Sequence, residues 1–168
     1  MNIDLNSFER EKAVDETRPL EAVDLELENA RVTSAIRITG KTVKAAGVVV
    51  LTGRLKGMAE IDCDRCLEPV ERAVDIGLDL EFVPNRPLAE ASVELHADDL
   101  KRDEIEGSEI NLIDIAKEQI LLDVPQQFFC KEDCRGFCEK CGTNLNLKDC
   151  DCEDDQIDPR WAALQNLN

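Results

Sequence analysis

The chain has 168 residues, enough for one ordinary domain plus a small appendage and a real hydrophobic core. With 37 acidic against 20 basic side chains its formal net charge is −17. Bulk charge therefore opposes nonspecific binding to phosphate backbones and anionic lipids and suits basic soluble partners.

The start, Met1-Asn2-Ile3-Asp4-Leu5, lacks the basic segment and apolar core of a secretory signal. No apolar run approaches the about 20 residues that span a bilayer; the longest lies near Val48-Val49-Val50-Leu51. A cytoplasmic location is the default expectation, and there thiols stay reduced.

The first part of the chain reads as strand-rich. Ala30 to Ile38 alternates, with Val32, Ser34, Ile36 and Ile38 on one face. Thr42 to Leu55 is a valine-rich segment ending near Gly53, and Met58 to Ile61 leads into Cys63. A second alternating run puts Val74, Ile76, Leu78, Leu80 and Phe82 on one side and Asp75, Asp79 and Glu81 on the other, until Pro84 and Pro87 end it. Strands joined by short turns predict a mostly antiparallel sheet or half-open barrel.

Glu90 to Gly107 is acidic and weakly patterned, which predicts a loop with a short strand. A central helix follows: Ile110, Leu112 or Ile113, Ala116, Ile120 and Leu121 recur at helical spacing up to Val124, and Pro125 stops it. Asp158-Pro159 opens a short C-terminal helix with Trp161, Leu164 and Leu167 on one stripe. The expected fold class is α+β, with a strand-rich domain over 1–126 and a cysteine-rich zinc-knuckle tail over 127–168.

The chemistry lies in eight cysteines arranged as four close pairs: Cys63-Asp-Arg-Cys66, Cys130-x3-Cys134, Cys138-Glu-Lys-Cys141 and Cys150-Asp-Cys152. In a reduced compartment such pairs read first as metal ligands. Zinc takes four ligands in a tetrahedron, and a Cys-x2-Cys turn offers two sulfurs with little strain. Gly142, after the second cysteine of a knuckle, can take a positive φ and turn backbone N–H groups toward the sulfurs. Cys138, Cys141, Cys150 and Cys152 form the most economical site because the loop to be closed is short. Cys63, Cys66, Cys130 and Cys134 are then left for a second site, or Cys130 and Cys134 join the tail site. Four pairs match into two sites in three ways, and spacing does not choose among them. The expectation is one or two structural zinc ions.

Competing readings are weaker. A redox Cys63–Cys66 pair belongs at a helix N-terminus after a strand, whereas both flanks here read as strands. His96, the only histidine, sits in an acidic stretch and reads as surface. Asp98-Asp99 and Asp154-Asp155 read as solvated charge. The chain has no Ser-containing elbow, Gly-rich phosphate loop or Cys–His pairing, so a metal-dependent or redox enzyme is a minor alternative and no small-molecule substrate is expected. Zinc knuckles often bind RNA. Here Lys131, Arg135, Lys140, Lys148 and Arg160 are outnumbered by neighbouring carboxylates, which disfavours a general RNA grip and leaves a local contact or a protein contact open.

The run Cys130-x3-Cys134-Arg-Gly-Phe-Cys138-Glu-Lys-Cys141-Gly-Thr-Asn-Leu-Asn146, then Cys150-Asp-Cys152 and Ile157-Asp-Pro-Arg-Trp161-Ala-Ala-Leu164, resembles the YceD family. Cys63-Asp-Arg-Cys66-Leu67-Glu68 resembles its other motif, and Glu109-Ile-Asn-Leu-Ile-Asp with Glu118-Gln-Ile-Leu-Leu-Asp-Val-Pro125 resembles its central helix. The resemblance spans about residues 30 to 165. Phe137 stands where the family pattern suggests leucine, and Asn111 where aspartate is more usual. The resemblance implies a non-enzymatic part in accumulation or processing of large-subunit ribosomal RNA. It implies a ribosomal protein or assembly factor of the large subunit as partner, with direct zinc-dependent binding of rRNA as the alternative. Since some family members lack the tail cysteines, it implies that zinc stabilises and performs no chemistry.

Overall fold

The computed structural model describes residues 2–19, 23–84, 102–105 and 107–152. The chain forms two compact units: Met1–Asp62 with Pro69–Phe128, and Cys63–Glu68 with Phe129–Asn168. The C-terminal helix expected from Asp158-Pro159 lies outside the described residues, as do His96 and the Asp98-Asp99 and Asp154-Asp155 pairs.

Among its described residues the first unit is mostly sheet with one α-helix. Its strands are β1 (Asn2–Asp4), β2 (Glu11–Arg18), β3 (Ala30–Val32), β4 (Ile36–Ala45), β5 (Val48–Asp62), β6 (Pro69–Pro84), β7 (Arg102–Ile105) and β8 (Glu109–Asn111), followed by α1 (Leu112–Asp123). The larger sheet runs β2-β4-β5-β6-β7, with β3 also on β5, and β1 pairs with β8 in a separate two-stranded ribbon. All pairings are antiparallel except β6 with the short edge strand β7. The path is open, since β2 and β7 end it without pairing to each other, as in a half-open barrel.

The alternation legible in the sequence sets which face is buried. Val32, Ile36 and Ile38, then Leu51 and Leu55, then Val74, Leu78 and Phe82 share one core. The helix contributes Leu112, Ile115, Ala116 and Ile120 to the same core. These four recur at helical spacing, so burying them fixes how α1 faces the sheet.

Two strand boundaries differ from the sequence expectation. The valine-rich stretch from Thr42 to Leu55 is two strands folded back at Ala46-Gly47, whose φ values of 51° and 83° are those of a tight hairpin turn. An alanine in that turn hid it. The alternating stretch from Ala30 to Ile38 is broken at residues 33–35, where the Ser34 hydroxyl accepts the Met58 N–H at 2.8 Å and Thr33 N–H donates to Met58 O at 2.9 Å. Both β3 and β4 still pair with β5 on either side of this break.

The helix begins and ends where its sequence directs. Asn111 is its N-cap, with Oδ1 accepting from Ile113 N at 3.0 Å. At the other end Val124 N–H donates to Ile120 O at 3.0 Å, Arg72 Nη1 donates to Asp123 O at 3.0 Å, and Pro125 cannot continue the ladder. No helix among the described residues is long and apolar enough to cross a membrane.

Candidate metal centres

The second unit gathers all eight cysteines, although its two segments are far apart in sequence. The segment Cys63–Glu68 is the loop of the long β5–β6 hairpin; the other begins at Phe129.

Two of the four pairs are built alike. In Cys63-Asp-Arg-Cys66, the Cys63 N–H donates to Glu68 O at 3.0 Å and the Leu67 N–H donates to Cys63 O at 2.8 Å. In Cys138-Glu-Lys-Cys141, the Cys138 N–H donates to Thr143 O at 2.8 Å and the Gly142 N–H to Cys138 O at 2.7 Å. The residue after the second cysteine is left-handed in both, with φ of 59° at Leu67 and 70° at Gly142. This turn curls two sulfurs to one side and presents them together. Glycine takes that conformation without strain, whereas a leucine pays about 1–2 kcal/mol for it.

Of the three possible matchings, the structure brings together Cys63, Cys66, Cys130 and Cys134 as one group and Cys138, Cys141, Cys150 and Cys152 as another. Within each group the sulfurs all lie within 4.8 Å of one another. In the first group Cys63 Sγ is 3.8 Å from Cys134 Sγ, and Cys66 Sγ is 3.7 Å from Cys130 Sγ. These separations are far longer than a disulfide bond of about 2.05 Å. They match the edge of about 3.8 Å expected for a tetrahedron of sulfurs each about 2.3 Å from a central ion. Both groups can therefore hold a metal ion.

Their surroundings differ. Cys63, Cys66 and Cys134 are buried, whereas Cys141 and Cys152 of the second group are exposed. Arg65 closes over the first group: its guanidinium lies 4.3 Å from the centre of the Phe129 ring, and Nη1 donates to Cys134 O at 3.0 Å and to Glu132 O at 3.3 Å. Gly136, with φ of 78°, passes so near this turn that a Cβ there would lie 2.9 Å from Arg65 O. The loop between the second group's pairs adds polar contacts. Asn146 Nδ2 donates to Cys134 Sγ at 3.2 Å, and Asn144 Nδ2 donates to Glu68 Oε1 at 3.0 Å. Thr143 Oγ1 lies 3.2 Å from Cys141 Sγ.

Without a cation, each group is electrostatically divided. Burial pushes the Cys63 thiol up, but backbone hydrogen bonds from Cys130, Cys66 and Arg65 outweigh it and bring its pKa down to about 6. Burial and the neighbouring sulfurs push Cys130 up to about 12. Cys141 is brought down to about 6, first by the Thr143 hydroxyl and then by the Thr143 backbone. Cys152 is pushed up to about 12, first by the Cys141 sulfur beside it. One thiol ionises easily and suppresses the next, and a bound cation would neutralise the thiolates together.

Sequence reasoning found every cysteine but missed the polar residues around them. Arg65, Asn144 and Asn146 have no spacing rule of their own. The Asn-x-Asn between the second knuckle and Cys150 was the available signal, because short polar side chains in a turn hydrogen-bond locally.

The chain is 27% identical to the uncharacterized protein YlbN of Bacillus subtilis, over 91% of this chain and 86% of the relative. It is 34% identical to an uncharacterized protein of Mycobacterium tuberculosis over 71% of this chain, but it spans only 55% of that relative's length. A segment of 62 residues is 37% identical to the Arabidopsis thaliana chloroplastic protein named large ribosomal RNA subunit accumulation protein YCED homolog 1, covering 35% of this chain and 19% of that one. No solved structure matches the chain. Residues 51–168 match the family model described as large ribosomal RNA subunit accumulation protein YceD. That match takes in all eight cysteines and most of the chain, and the chain belongs to the YceD family.

Proposed function

We propose that this protein is a non-enzymatic assembly factor of the large ribosomal subunit, acting in the cytoplasm to support accumulation or processing of large-subunit rRNA. Membership of a family named for that process carries the reading. In this reading a strand-rich body over 1–126 bears a metal-bound element over 127–168, completed by the Cys63–Cys66 turn.

The metal of the reading is zinc, one ion on Cys63, Cys66, Cys130 and Cys134 and one on Cys138, Cys141, Cys150 and Cys152. All-sulfur donor sets favour it, with tetrahedral edges in the first group, and four thiolates leave no open position for a substrate. When bound, the ion supplies crosslinking and charge neutralisation only. The protein's own residues do the rest: Arg65 and Gly136 hold the segment around Cys134 against the Cys63–Cys66 turn, and Asn146 and Thr143 bond the sulfurs. Each tetrathiolate site keeps a net charge of −2, which adds to an acidic surface and favours a basic ribosomal protein over bare RNA as the direct partner.

Depletion of the protein in growing cells, followed by sequencing of rRNA precursors, tests the role. The expected result is loss of mature large-subunit rRNA with small-subunit rRNA unchanged; unaltered levels of both would overturn it. Affinity capture with nuclease treatment tests the partner. A basic ribosomal protein retained after nuclease supports the reading, and a complex that disappears with the RNA supports direct rRNA binding instead.

A further inference from the structure

The loop between the second group's cysteine pairs makes its most specific polar contacts with the first group. Asn146 is held by three hydrogen bonds: Arg135 N–H donates to its Oδ1 at 2.9 Å, and its own backbone N–H and Nδ2 both donate to Asn144 Oδ1, at 2.9 and 3.0 Å. The orientation so imposed leaves Nδ2 aimed at Cys134 Sγ, 3.2 Å away. Asn144, in turn, donates to Glu68, whose carbonyl closes the Cys63–Cys66 turn. One short loop thus reaches a sulfur on one side of the first group and the turn carrying two sulfurs on the other.

We propose that the two four-cysteine groups load metal cooperatively, with Asn146 as the positioning residue that couples them. The inference rests on the reading of both groups as zinc sites. The loop's ends are Cys141 and Cys150, both members of the second group. A metal there pins both ends and removes most of the loop's conformational freedom. The Asn144–Asn146 pair is then already ordered when the first group binds its ion, so that ion does not bear the ordering cost. An N–H donor on a metal-bound thiolate also disperses its negative charge, which matters most at a buried sulfur such as Cys134. Coupling between sites is reciprocal, so loading the first group must tighten the second by the same factor.

Cobalt(II) titration of the reduced, full-length protein reads both sites through thiolate-to-cobalt absorption. The wild type is expected to bind two ions with a transition steeper than independent sites allow. The Cys138→Ser/Cys141→Ser variant is expected to hold its one remaining ion about tenfold more weakly, within the usual range for coupled sites. Asn146→Ala should weaken the first group to a similar extent, abolish the tightening of the second group that loading the first produces while leaving the second group's affinity with the first empty within twofold, and move the first group's charge-transfer band to lower energy. Asn146→Asp keeps the shape, places a carboxylate against the thiolate, and should weaken that group further. A first-group affinity unchanged in both the double variant and Asn146→Ala would overturn the coupling. Absence of any tetrathiolate spectrum in the wild type would overturn the zinc reading itself, an outcome distinct from two sites that bind independently.

Discussion

Gly40 on β4 and Gly53 on β5 are register partners, and each occupies the space the other's side chain would need. A Cβ on Gly40 would sit 2.6 Å from the Gly53 Cα and closer still to the Thr52 carbonyl oxygen. A Cβ on Gly53 would collide with the Thr39 carbonyl in the same way. The obstacle is backbone on both sides, so no side chain can swing away. Gly40→Ala or Gly53→Ala is expected to lose about 2 kcal/mol or more, at the upper end of ordinary overpacking. Urea unfolding with an unchanged slope would measure it, and a loss below about 0.5 kcal/mol would contradict the close approach.

Thr42, also on β4, is fully buried, and its hydroxyl finds no hydrogen-bond partner among the described residues. A buried hydroxyl left unpaired is costly, and valine has nearly the same shape without it. Thr42→Val is therefore expected to raise stability by up to about 1 kcal/mol, read as a higher urea midpoint. A clear decrease would show that the hydroxyl is satisfied in solution.

The twin knuckles invite an exchange. Leu67 is left-handed and 59% exposed, so it bears the backbone strain with little burial in return. Leu67→Gly should relieve that strain, about 1–2 kcal/mol, against about 0.5–1 kcal/mol of added unfolded-chain entropy, and stabilise the turn slightly. Gly142→Leu should cost about 1–2 kcal/mol. Competition with a chelator reads both. Equal behaviour of the two substitutions would refute the likeness of the turns.

Thiol chemistry of the metal-free protein should be uneven. Cys141 is exposed and its pKa is held at about 6, whereas Cys63 shares that value but is buried. Because the folded pKa lies below that of a free thiol, Cys141 is a thiolate above about pH 6. Its ionised form stabilises the fold above the ordinary thiol range, and that contribution is lost as pH falls through about 6. Brief iodoacetamide treatment at pH 7 should label Cys141 first, with Cys130 and Cys152 last. Thr143→Val should move the midpoint of Cys141 labelling to higher pH. Uniform labelling by mass spectrometry would rule this order out.

The buried face of β6, the start of β4 and the span of α1 were legible because their apolar residues keep a period of two or near four through Ile36, Leu78 and Ile120. Strand β2 was not. Its sequence, Glu-Lys-Ala-Val-Asp-Glu-Thr-Arg, buries only Val14, and its place is set by pairing with β4. The turn at Ala46-Gly47 was hidden for a related reason: tertiary pairing holds an alanine where local preference would put asparagine or glycine. At the sites, the spacing of Cys138, Cys141, Cys150 and Cys152 proposed the group that the structure assembles. Its joining of Cys63 and Cys66 to Cys130 and Cys134 depends on a hairpin whose length no local pattern encodes.

The two cysteine groups also differ in how long the chain must wait to complete them. Cys138 to Cys152 emerge almost together, and a nascent chain can close that group as soon as it leaves the exit tunnel. Cys63 and Cys66 are separated from Cys134 and Cys130 by 71 and 64 residues. At about 5–20 residues per second, that gap lasts roughly 3 to 14 s. For most of that interval the β5–β6 hairpin, complete once Pro84 has emerged, carries two thiols without their partners at its tip, open to capture by an oxidant. Oxidative stress during synthesis should therefore injure the Cys63–Cys66 turn first, before any folded protein is touched.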